Sequence, residues 1–268
     1  MYKVVLILLI ATFVYSYEDS DLDGVEDISD KCPQTPFSDL VDQRGCSIKS
    51  IDKMVYFDII TGIGYSKVNY SSGQRADTFS VSFQSDVYIK DWGIELFASK
   101  YYSKIENNTE NGFDDTMLDI FYKYAFSERL TVSTGAGVVL PTYKSGYDNE
   151  KTDYSIFADF EYYTNNPMYI FGGAGYTWIR DSNTAMFKYQ DTSNFYLGLG
   201  YTPDFRNSFS FSYNQNSSIY KGTDNIKTVR GGYSYRVDTH WFIRADYDYG
   251  LNDYSSDHAL LLRIGYGF

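Results

Sequence analysis

The sequence predicts an all-β fold, an antiparallel up-and-down barrel of about twelve strands that crosses a membrane and follows a small N-terminal module. Apolar residues alternate with polar ones over most of residues 51–268. Tyr and Phe are abundant, at 29 and 19 of 268 residues, although the mean hydropathy is polar. After residue 16 no apolar run reaches the roughly 20 residues that a spanning helix needs. A closed barrel is the other structure that satisfies every backbone group in lipid.

The first 16 residues have the features of a secretory signal peptide. Lys3 supplies the positive charge, residues 4–14 form the apolar core, and cleavage is expected after Ser16. We therefore divide the chain into a signal peptide (1–16), an N-terminal module (17–50) and a barrel (51–268). The apolar core of the signal peptide is too short to span a bilayer as a helix.

The chain is acidic, and much of that acidity lies in the N-terminal module. The formal net charge is −12, and removal of Lys3 with the signal peptide leaves 22 basic and 35 acidic residues. Residues 17–50 contain nine of these acids and three bases. This balance argues against nucleic acid as a partner.

The acids of residues 19–30 follow the ligand spacing of a calcium-binding loop. Oxygen ligands occupy positions 1, 3, 5, 9 and 12, Gly24 occupies position 6, and position 7 offers its backbone carbonyl. The predicted ligands are Asp19, Asp21, Asp23, Val25, Asp27 and Asp30. Ca²⁺ takes six to eight oxygens and is favoured over Mg²⁺, which requires a tighter octahedron.

The residues that follow this loop make the pattern more specific. Asp30-Lys31-Cys32-Pro33-Gln34-Thr35-Pro36 is followed by Val41-Asp42-Gln43-Arg44-Gly45-Cys46. Residues 19–46 resemble a thrombospondin type 3 repeat of the kind found in OmpA-type outer-membrane proteins. The resemblance implies a calcium-stiffened periplasmic module with the five aspartates as side-chain ligands.

Two further expectations concern this module. Cys32 and Cys46 are the only cysteines, and in an oxidising compartment we expect them to form a disulfide worth about 3 kcal/mol. In OmpA-type proteins the repeat usually joins the barrel to a peptidoglycan-binding domain, whereas here it precedes the barrel. We therefore do not carry over cell-wall binding. The module could hang in the periplasm, contact a periplasmic or cell-surface protein partner, or enter the lumen.

Interruptions in the alternation divide residues 51–268 into strands. Five short breaks recur at residues 90–93, 127–129, 165–167, 203–207 and 238–240. Six longer polar breaks lie near residues 71–77, 107–115, 144–152, 181–193, 221–225 and 250–257. Eleven connections predict twelve strands, with both termini and the short turns in the periplasm. Ten or fourteen strands remain compatible with the pattern, since residues 94–106 and 168–180 alternate less cleanly.

The alternation also predicts which side chains face the lipid. Four strands have outward series of one parity: Phe79, Val81, Phe83, Val87 and Ile89; Leu118, Ile120, Tyr122, Tyr124 and Phe126; Ile156, Ala158, Phe160 and Tyr162; Phe195, Leu197, Leu199 and Tyr201. Lys100 falls on the outward face of its strand. Either Lys100 lies near the outer rim or the predicted phase of this strand is wrong.

The opposite parity predicts a charged lumen. Its charged residues from the first half of the barrel are acids, with Lys123 as the exception: Asp58, Asp86, Glu95, Asp119, Asp159 and Glu161. Its arginines come from the last quarter, beside Asp246 and Asp248: Arg230, Arg236, Arg244 and Arg263. Because the first and last strands of a closed barrel are neighbours, we expect Asp58 to lie near Arg263. Two interpretations remain: a narrow pore whose field orients a charged or zwitterionic solute, or an interior closed by ion pairs.

The last nine residues resemble the terminal strand of Gram-negative outer-membrane β-barrels. Leu260, Leu262, Ile264, Tyr266 and Phe268 form one apolar series that ends on an aromatic residue. The resemblance implies that Tyr266 and Phe268 belong to a barrel-insertion signal, with outer-membrane lipids and the barrel-assembly machinery as partners. The expected location is the outer membrane, with the N-terminal module in the periplasm. The expected function is a small porin-like diffusion channel, and the alternative is a non-conducting structural or adhesive barrel.

An enzyme is the less favoured interpretation. The chain has two histidines, His240 in a predicted periplasmic turn and His258 near the outer rim. Ser255, Ser256, Asp253 and Asp257 surround His258 in the sequence, but such residues are common in loops, and no hydrolase motif accompanies them. We therefore expect no catalytic activity.

Overall fold

A computed structural model describes residues 55–69, 75–106, 108–143, 151–164, 167–184 and 187–268, together with residues 25, 27, 30–32, 35, 41 and 44–46. The chain divides into two compact units, Met1–Lys53 and Met54–Phe268. The predicted signal peptide lies outside the described residues. In the part of the chain that is described, no helix has the length and apolar character needed to cross a membrane.

The second unit is one antiparallel sheet that closes on itself. Its strands are β1 (Val55–Asn69), β2 (Arg75–Ile89), β3 (Trp92–Ile105), β4 (Asn108–Phe113), β5 (Thr116–Ala125), β6 (Leu130–Leu140), β7 (Asp153–Tyr163), β8 (Met168–Trp178), β9 (Thr192–Tyr201), β10 (Asn207–Asn216), β11 (Ile226–Arg236), β12 (Trp241–Gly250) and β13 (His258–Gly267). Strands adjacent in sequence pair with each other, except that β4 and β5 both pair with β3, and β1 also pairs with β13. This closure leaves no edge strand, so backbone groups are paired around the whole sheet.

The thirteen segments form a barrel of twelve strands, as predicted. Segments β4 and β5 are the two halves of one barrel strand, which is interrupted at Asp114 and Asp115. β5 pairs with residues 92–97 of β3, and β4 pairs with residues 100–105 of the same strand. The prediction of a long loop at residues 107–115 was wrong. That segment is polar because it continues the β3 strand pair beyond the apolar band, and polar residues there can still form a ladder of backbone hydrogen bonds.

The five short turns lie where the sequence predicts them. They connect β2 to β3, β5 to β6, β7 to β8, β9 to β10 and β11 to β12, so all of them are at the same end of the barrel. Two aspartates organise these turns. Asp204 accepts hydrogen bonds from the backbone N–H groups of Arg206 and Asn207, and Asp238 accepts them from His240 and Trp241. Each carboxylate thereby holds the chain reversal in shape.

The two turn carboxylates predict a loss of stability in acid. The Asn207 side-chain amide beside Asp204, and the Trp241 backbone N–H beside Asp238, hold the pKa of each carboxyl below its ordinary value of 3.8. A carboxylate whose pKa is lowered by folding stabilises the fold at pH values above its ordinary pKa. This contribution is lost as the pH falls through the lowered pKa. Asp238→Ala should therefore lower the urea midpoint of the refolded barrel at pH 7, and the difference from wild type should vanish in strong acid. A difference that persists unchanged below pH 3.8 would contradict this assignment.

The outward face of the barrel is apolar, as the alternation predicts. Phe79, Val81 and Phe83 of β2 are 57%, 58% and 44% exposed, while Ser82 between them is buried. Leu118, Ile120, Ile156, Leu197 and Leu199 are likewise exposed on their strands. Such a band is typical of a surface that faces lipid, because a soluble protein rarely exposes a large continuous apolar surface.

Cys32 and Cys46 in the first unit form a disulfide. Near it, the backbone N–H of Lys31 donates to the carbonyl of Arg44, and the Thr35 hydroxyl makes a hydrogen bond of 2.6 Å with the carbonyl of Gly45. These contacts bring the two cysteine-bearing segments together. Asp19, Asp21 and Asp23 of the predicted calcium loop lie outside the described residues.

Candidate functional site: the charged lumen

A row of four carboxylates crosses four neighbouring strands on the inner face of the barrel. Asp58 of β1 is the register partner of Asp86 of β2, Asp86 is the partner of Glu95 of β3, and Glu95 is the partner of Asp119 of β5. Paired strands are about 4.8 Å apart, so adjacent members of this row are close neighbours. Like charges directly opposite each other destabilise a sheet. No described Lys or Arg forms a salt bridge with any of the four.

Two further acids continue the acidic wall on β7. Asp159 accepts a hydrogen bond of 2.8 Å from the Tyr196 hydroxyl, and Glu161 accepts one of 3.1 Å from the Tyr163 hydroxyl. The carboxylate of Asp159 lies over Gly173 of β8, where a Cβ atom would overlap it. Asp119 lies over Gly137 of β6 in the same way. These glycines provide the space in which the carboxylates lie along the wall.

The acidic wall borders a cavity of about 560 Å³. Its lining includes Glu95, Asp119, Asp159, Glu161, Lys123, Phe121, Phe157, Phe171 and Tyr196. Four acids and one base therefore face the same space. A second cavity of about 450 Å³ lies nearer the long-loop end and includes Glu110, Asp114 and Tyr101 in its lining. The interior on this side of the barrel is therefore open rather than filled by side chains.

Among the described residues of the acidic strands, Lys123 is the one base on the inner face. Its ammonium nitrogen lies 4.8 Å from the ring centre of Tyr88 and 5.6 Å from that of Phe121. The rings of Tyr88 and Phe121 are themselves 6.1 Å apart. Ring faces attract cations, so this corner of the lumen holds one ammonium group against two aromatic surfaces. The sequence predicted Lys123 as the basic exception on these strands, but it did not predict the aromatic contacts.

The opposite charged arc, on β11, β12 and β13, is built around Asp246. This side chain is 1% exposed and accepts hydrogen bonds from Arg244 (3.0 Å) and Arg263 (2.6 Å). Arg230 forms a two-point pair with its register partner Asp248, at 2.7 and 3.0 Å. Bidentate and bridged pairs of this type are geometrically specific. Three of the four predicted lumen arginines are therefore paired with carboxylates.

The expected contact between Asp58 and Arg263 is not formed. Asp58 is the register partner of Gly267, and Arg263 is the partner of Gly62. The two residues are thus four positions apart along adjacent strands, or about 13 Å at the usual rise per residue. Arg263 pairs with Asp246 instead. Arg236 lies at the short-turn end of β11 with the predicted parity and is exposed.

The two arcs differ in what they can do electrostatically. The arginine arc has four arginines and the two carboxylates Asp246 and Asp248, which leaves a formal charge of about +2. The acidic arc has the carboxylates of Asp58, Asp86, Glu95, Asp119, Asp159 and Glu161, and Lys123 is the base that faces inward among the described residues of its strands. Negative potential therefore concentrates on the acidic side, where the cavity lies. A cleft lined by one sign of charge raises the local concentration of oppositely charged ions.

Among the described residues, neither histidine ring forms a hydrogen bond with a serine or a carboxylate. His258 Nδ1 is 2.6 Å from the Tyr247 hydroxyl, on the outward face. Of its sequence neighbours, Ser255 donates to the carbonyl of Asn252, and Asp257 accepts from the backbone and side chain of Asn69. The serine and the carboxylate thus have other partners. His240 lies in a short turn and stacks on Tyr266 at 5.5 Å.

The C-terminal aromatic residues form a cluster on the outward face at the short-turn end. Tyr266 contacts Trp241 at 4.8 Å and Phe268 at 4.7 Å between ring centres. The backbone N–H of Phe268 donates to the carbonyl of Phe57, which ties the chain end to β1. Aromatic rings are favoured at a membrane–water interface because they offer both apolar and polar atoms. The cluster therefore marks one edge of the lipid-facing band.

Part of the predicted calcium loop is described. Asp30 accepts a hydrogen bond of 2.7 Å from the backbone N–H of Cys32 through Oδ1, while its Oδ2 is buried without a hydrogen-bond partner among the described residues. An unsatisfied buried carboxylate oxygen is the group that a hard cation would bind. Val25 and Asp27 are also described, and the described residues alone contain no cluster of three metal-ligating side chains.

Comparison with known proteins supports the fold at low sequence identity. No protein-family model matches the chain, and no curated protein does so either. Among solved structures, an outer-membrane channel from Pseudomonas putida F1 matches with a TM-score of 0.67 and 13% identity, over 80% of this chain and 95% of that one. The NanC porin matches at 0.50 and 14%, over 79% and 98%. The β domain of the Bordetella autotransporter BrkA matches at 0.51 and 8%, over 78% and 98%.

The barrel thus has the fold of integral outer-membrane proteins. The matched structures include channels and an autotransporter domain, so the fold by itself does not define one activity. The function of this chain therefore depends on the chemistry of its own lumen.

Proposed function

We propose that the protein is a small, porin-like diffusion channel of the outer membrane with a preference for cations. The observation that carries the proposal is the asymmetric lumen, in which an acidic wall borders a cavity of about 560 Å³ while three of the four facing arginines are paired with carboxylates. The two porin and channel structures with a similar fold support it. The proposal makes the lumen charges Asp58, Asp86, Asp119, Arg230, Arg236, Arg244 and Arg263 the determinants of selectivity.

The acidic row favours water and mobile cations inside the barrel. Four register-matched carboxylates without paired bases can all remain ionised only if solvent or counter-ions screen them. Such screening requires an aqueous path rather than a dry interior. A permeating cation would lower the repulsion among the four groups and would be drawn toward this wall. An anion would meet the arginine arc, where Asp246 and Asp248 already pair with three of the four guanidinium groups.

The direct test is single-channel recording from the refolded mature protein in a planar bilayer of neutral lipid. We expect discrete conductance steps. In a salt gradient, the reversal potential should have the sign that a cation-selective pore produces. The preference should weaken at high ionic strength because salt screens the wall charges. Silence from a barrel that is verified as folded by its heat-dependent gel shift would overturn the proposal.

The alternative is a non-conducting structural or adhesive barrel that acts through its loops or its N-terminal module. The observation that favours this alternative is the pairing of Asp246 with both Arg244 and Arg263, because paired charges can stiffen the barrel wall without a role in transport. Conductance separates the two functions. An enzymatic function is not proposed, because Ser255 and Asp257 have other hydrogen-bond partners and His258 faces outward.

We also propose that residues 19–30 bind Ca²⁺ in the periplasm. The buried, unpartnered Oδ2 of Asp30 fits a cation ligand. The loop spacing assigns Asp19, Asp21, Asp23, Asp27 and the Val25 carbonyl to the same ion. Bound Ca²⁺ would neutralise the carboxylates and stiffen the segment next to the Cys32–Cys46 disulfide. We further propose that this module lies in the periplasm, and that the barrel has outer-membrane lipids and the barrel-assembly machinery as its partners.

The calcium proposal predicts a large loss of affinity on removing ligand charge. Asp21→Asn combined with Asp23→Asn should weaken Ca²⁺ binding by at least about tenfold, because the affinity of such loops follows the number of charged ligands. Calorimetric titration of the mature protein measures it. Asp39→Asn combined with Asp42→Asn provides a control with the same charge change outside the loop. Equal titrations for all three proteins would refute the assignment.

A further inference from the structure

The outward face of the barrel has a concentrated basic patch at its long-loop end. Five basic residues of the described strands face outward, and four of them lie on β1, β2 and β3: Lys67, Arg75, Lys100 and Lys104. The fifth, Lys227, is on β11. Asp77 is the only acid on the outward face of the described strands. This concentration is unexpected in a chain whose net charge is −12.

The strand register places these charges close together. Lys67, Asp77 and Lys104 are register partners across β1, β2 and β3, so the two lysine Cα atoms are about 10 Å apart. Arg75 forms a salt bridge of 2.8 Å with Asp77 and retains a side chain that is 55% exposed. Asp77 also accepts a hydrogen bond from the Tyr65 hydroxyl. Asp77 is therefore already paired with Arg75 and Tyr65, so the lysine ammonium groups are available to bind an external partner.

Lys100 extends the patch toward the apolar band. It is exposed, its register partners are Val81 and Phe113, and its ammonium nitrogen lies 5.6 Å from the centre of the Phe113 ring. A groove of about 290 Å³ beside it is lined by Phe79, Val81, Tyr102 and Asn111 as well as Lys100. The sequence alone left two possibilities: either Lys100 faces outward near the rim, or the predicted phase of its strand is wrong. The structure places it on the outward face, between apolar side chains and the rim.

Aromatic residues show that the patch lies at a membrane interface. Tyr65 and Tyr102 flank Phe79 in one register row, and the ring of Tyr65 is 5.0 Å from that of Phe79. Tyrosines mark the level at which lipid headgroups begin. Lysine stems can lie along apolar surface while their ammonium groups reach that level.

We propose that this patch binds a phosphate-bearing glycolipid of the outward-facing leaflet. Lysine and arginine are the side chains that recognise phosphate, and a cluster of four on a membrane-facing surface matches a headgroup with more than one phosphate. The groove beside Lys100 would take the apolar part of the same lipid. The inference rests on the proposed placement in the outer membrane, with the long loops outward, and it goes beyond channel function because it concerns the outer wall.

The test is native mass spectrometry of the detergent-solubilised full chain titrated with diphosphoryl lipid A, with monophosphoryl lipid A and phosphatidylglycerol as comparison lipids. Wild type should bind the diphosphoryl form most tightly. Changing Lys67, Arg75, Lys100 and Lys104 together to Gln should weaken that binding by roughly tenfold or more. A control changes Lys90, Arg129, Arg206 and Lys221 to Gln, which removes the same charge from turns and loops, and it should bind like wild type.

A charge-preserving variant keeps the test decisive if the quadruple Gln variant fails to fold. Lys67→Arg, Lys100→Arg and Lys104→Arg together should retain affinity for the diphosphoryl lipid. The proposal is overturned if wild type and the folded Gln variant bind equally, if the Arg variant loses binding, or if phosphatidylglycerol binds as tightly as diphosphoryl lipid A. Conductance measured in neutral lipid on the same preparations reports the channel function separately, so the two failures are distinguishable.

Discussion

Replacing Asp246 with alanine should lower the free energy of unfolding of the barrel by about 3 kcal/mol. Asp246 is 1% exposed, and it is the carboxylate that both Arg244 and Arg263 contact. Removing one partner of a buried pair leaves an uncompensated charge, which costs far more than the net contribution of the intact pair. Arg263 would account for most of this cost, because its side chain is only 17% exposed and would lose its carboxylate partner.

The measurement is equilibrium unfolding in urea of the protein refolded into lipid vesicles. Trp92, Trp178 and Trp241 lie on the outward face and report the loss of lipid contact by fluorescence. Asp248→Ala is the matched control, because Arg230 in the Asp248 pair is 44% exposed. Exposed pairs contribute at most about 1 kcal/mol. An Asp246→Ala variant no less stable than Asp248→Ala would refute the central role of Asp246.

A double variant separates the charge effect from simple loss of packing. If unpaired Arg263 causes the instability, then Asp246→Ala combined with Arg263→Met should be more stable than Asp246→Ala alone. Loss of packing around Asp246 predicts the reverse order, since the second change removes further contacts. The coupling between the two substitutions is therefore the informative quantity.

Much of the barrel could be predicted because alternation and turn chemistry are local properties. Each outward series, such as that of Phe79, Val81 and Phe83, needs only its own strand to be recognised. The turn at Asp204 depends on a short segment that encodes its own hydrogen bonds. Closure then follows because an isolated strand edge is unstable in lipid. The strand count and the lumen parity of the charged residues both depend on these local signals.

The arrangement of charges within the lumen could not be predicted in the same way. Parity indicates that Asp58 and Arg263 face inward, but the stagger between β1 and β13 decides whether they meet. That stagger is a property of the whole closed sheet and its tilt, and it places Arg263 opposite Gly62 rather than opposite Asp58. The interruption at Asp114 and Asp115 is a related case, because a break in one strand is visible only through its pairing with another.

Neutralising the acids that border the large cavity should abolish the cation preference of the channel. The variant combines Glu95→Gln, Asp119→Asn, Asp159→Asn and Glu161→Gln, all in the lining of that cavity. We expect the ratio of potassium to chloride permeability to fall by roughly tenfold, since a wall of one charge raises local counter-ion concentration by at least that factor. Reversal potentials in a potassium chloride gradient measure the ratio. Because this variant keeps the arginine arc, the largest effect that we expect is a ratio of potassium to chloride permeability below one, which means a preference for chloride.

The matched control removes four acids that lie outside the lumen. Asp91→Asn, Glu128→Gln, Asp224→Asn and Asp253→Asn change exposed turn and loop residues and alter the net charge by the same amount. This control should keep the selectivity of wild type, because salt screens charges on exposed turns and loops. Equal loss of selectivity in both variants would mean that net charge, rather than the acidic wall, sets the preference. Unchanged selectivity in both would mean that ions do not pass along the wall of β3, β5 and β7, and that the acids of the lumen have a structural role.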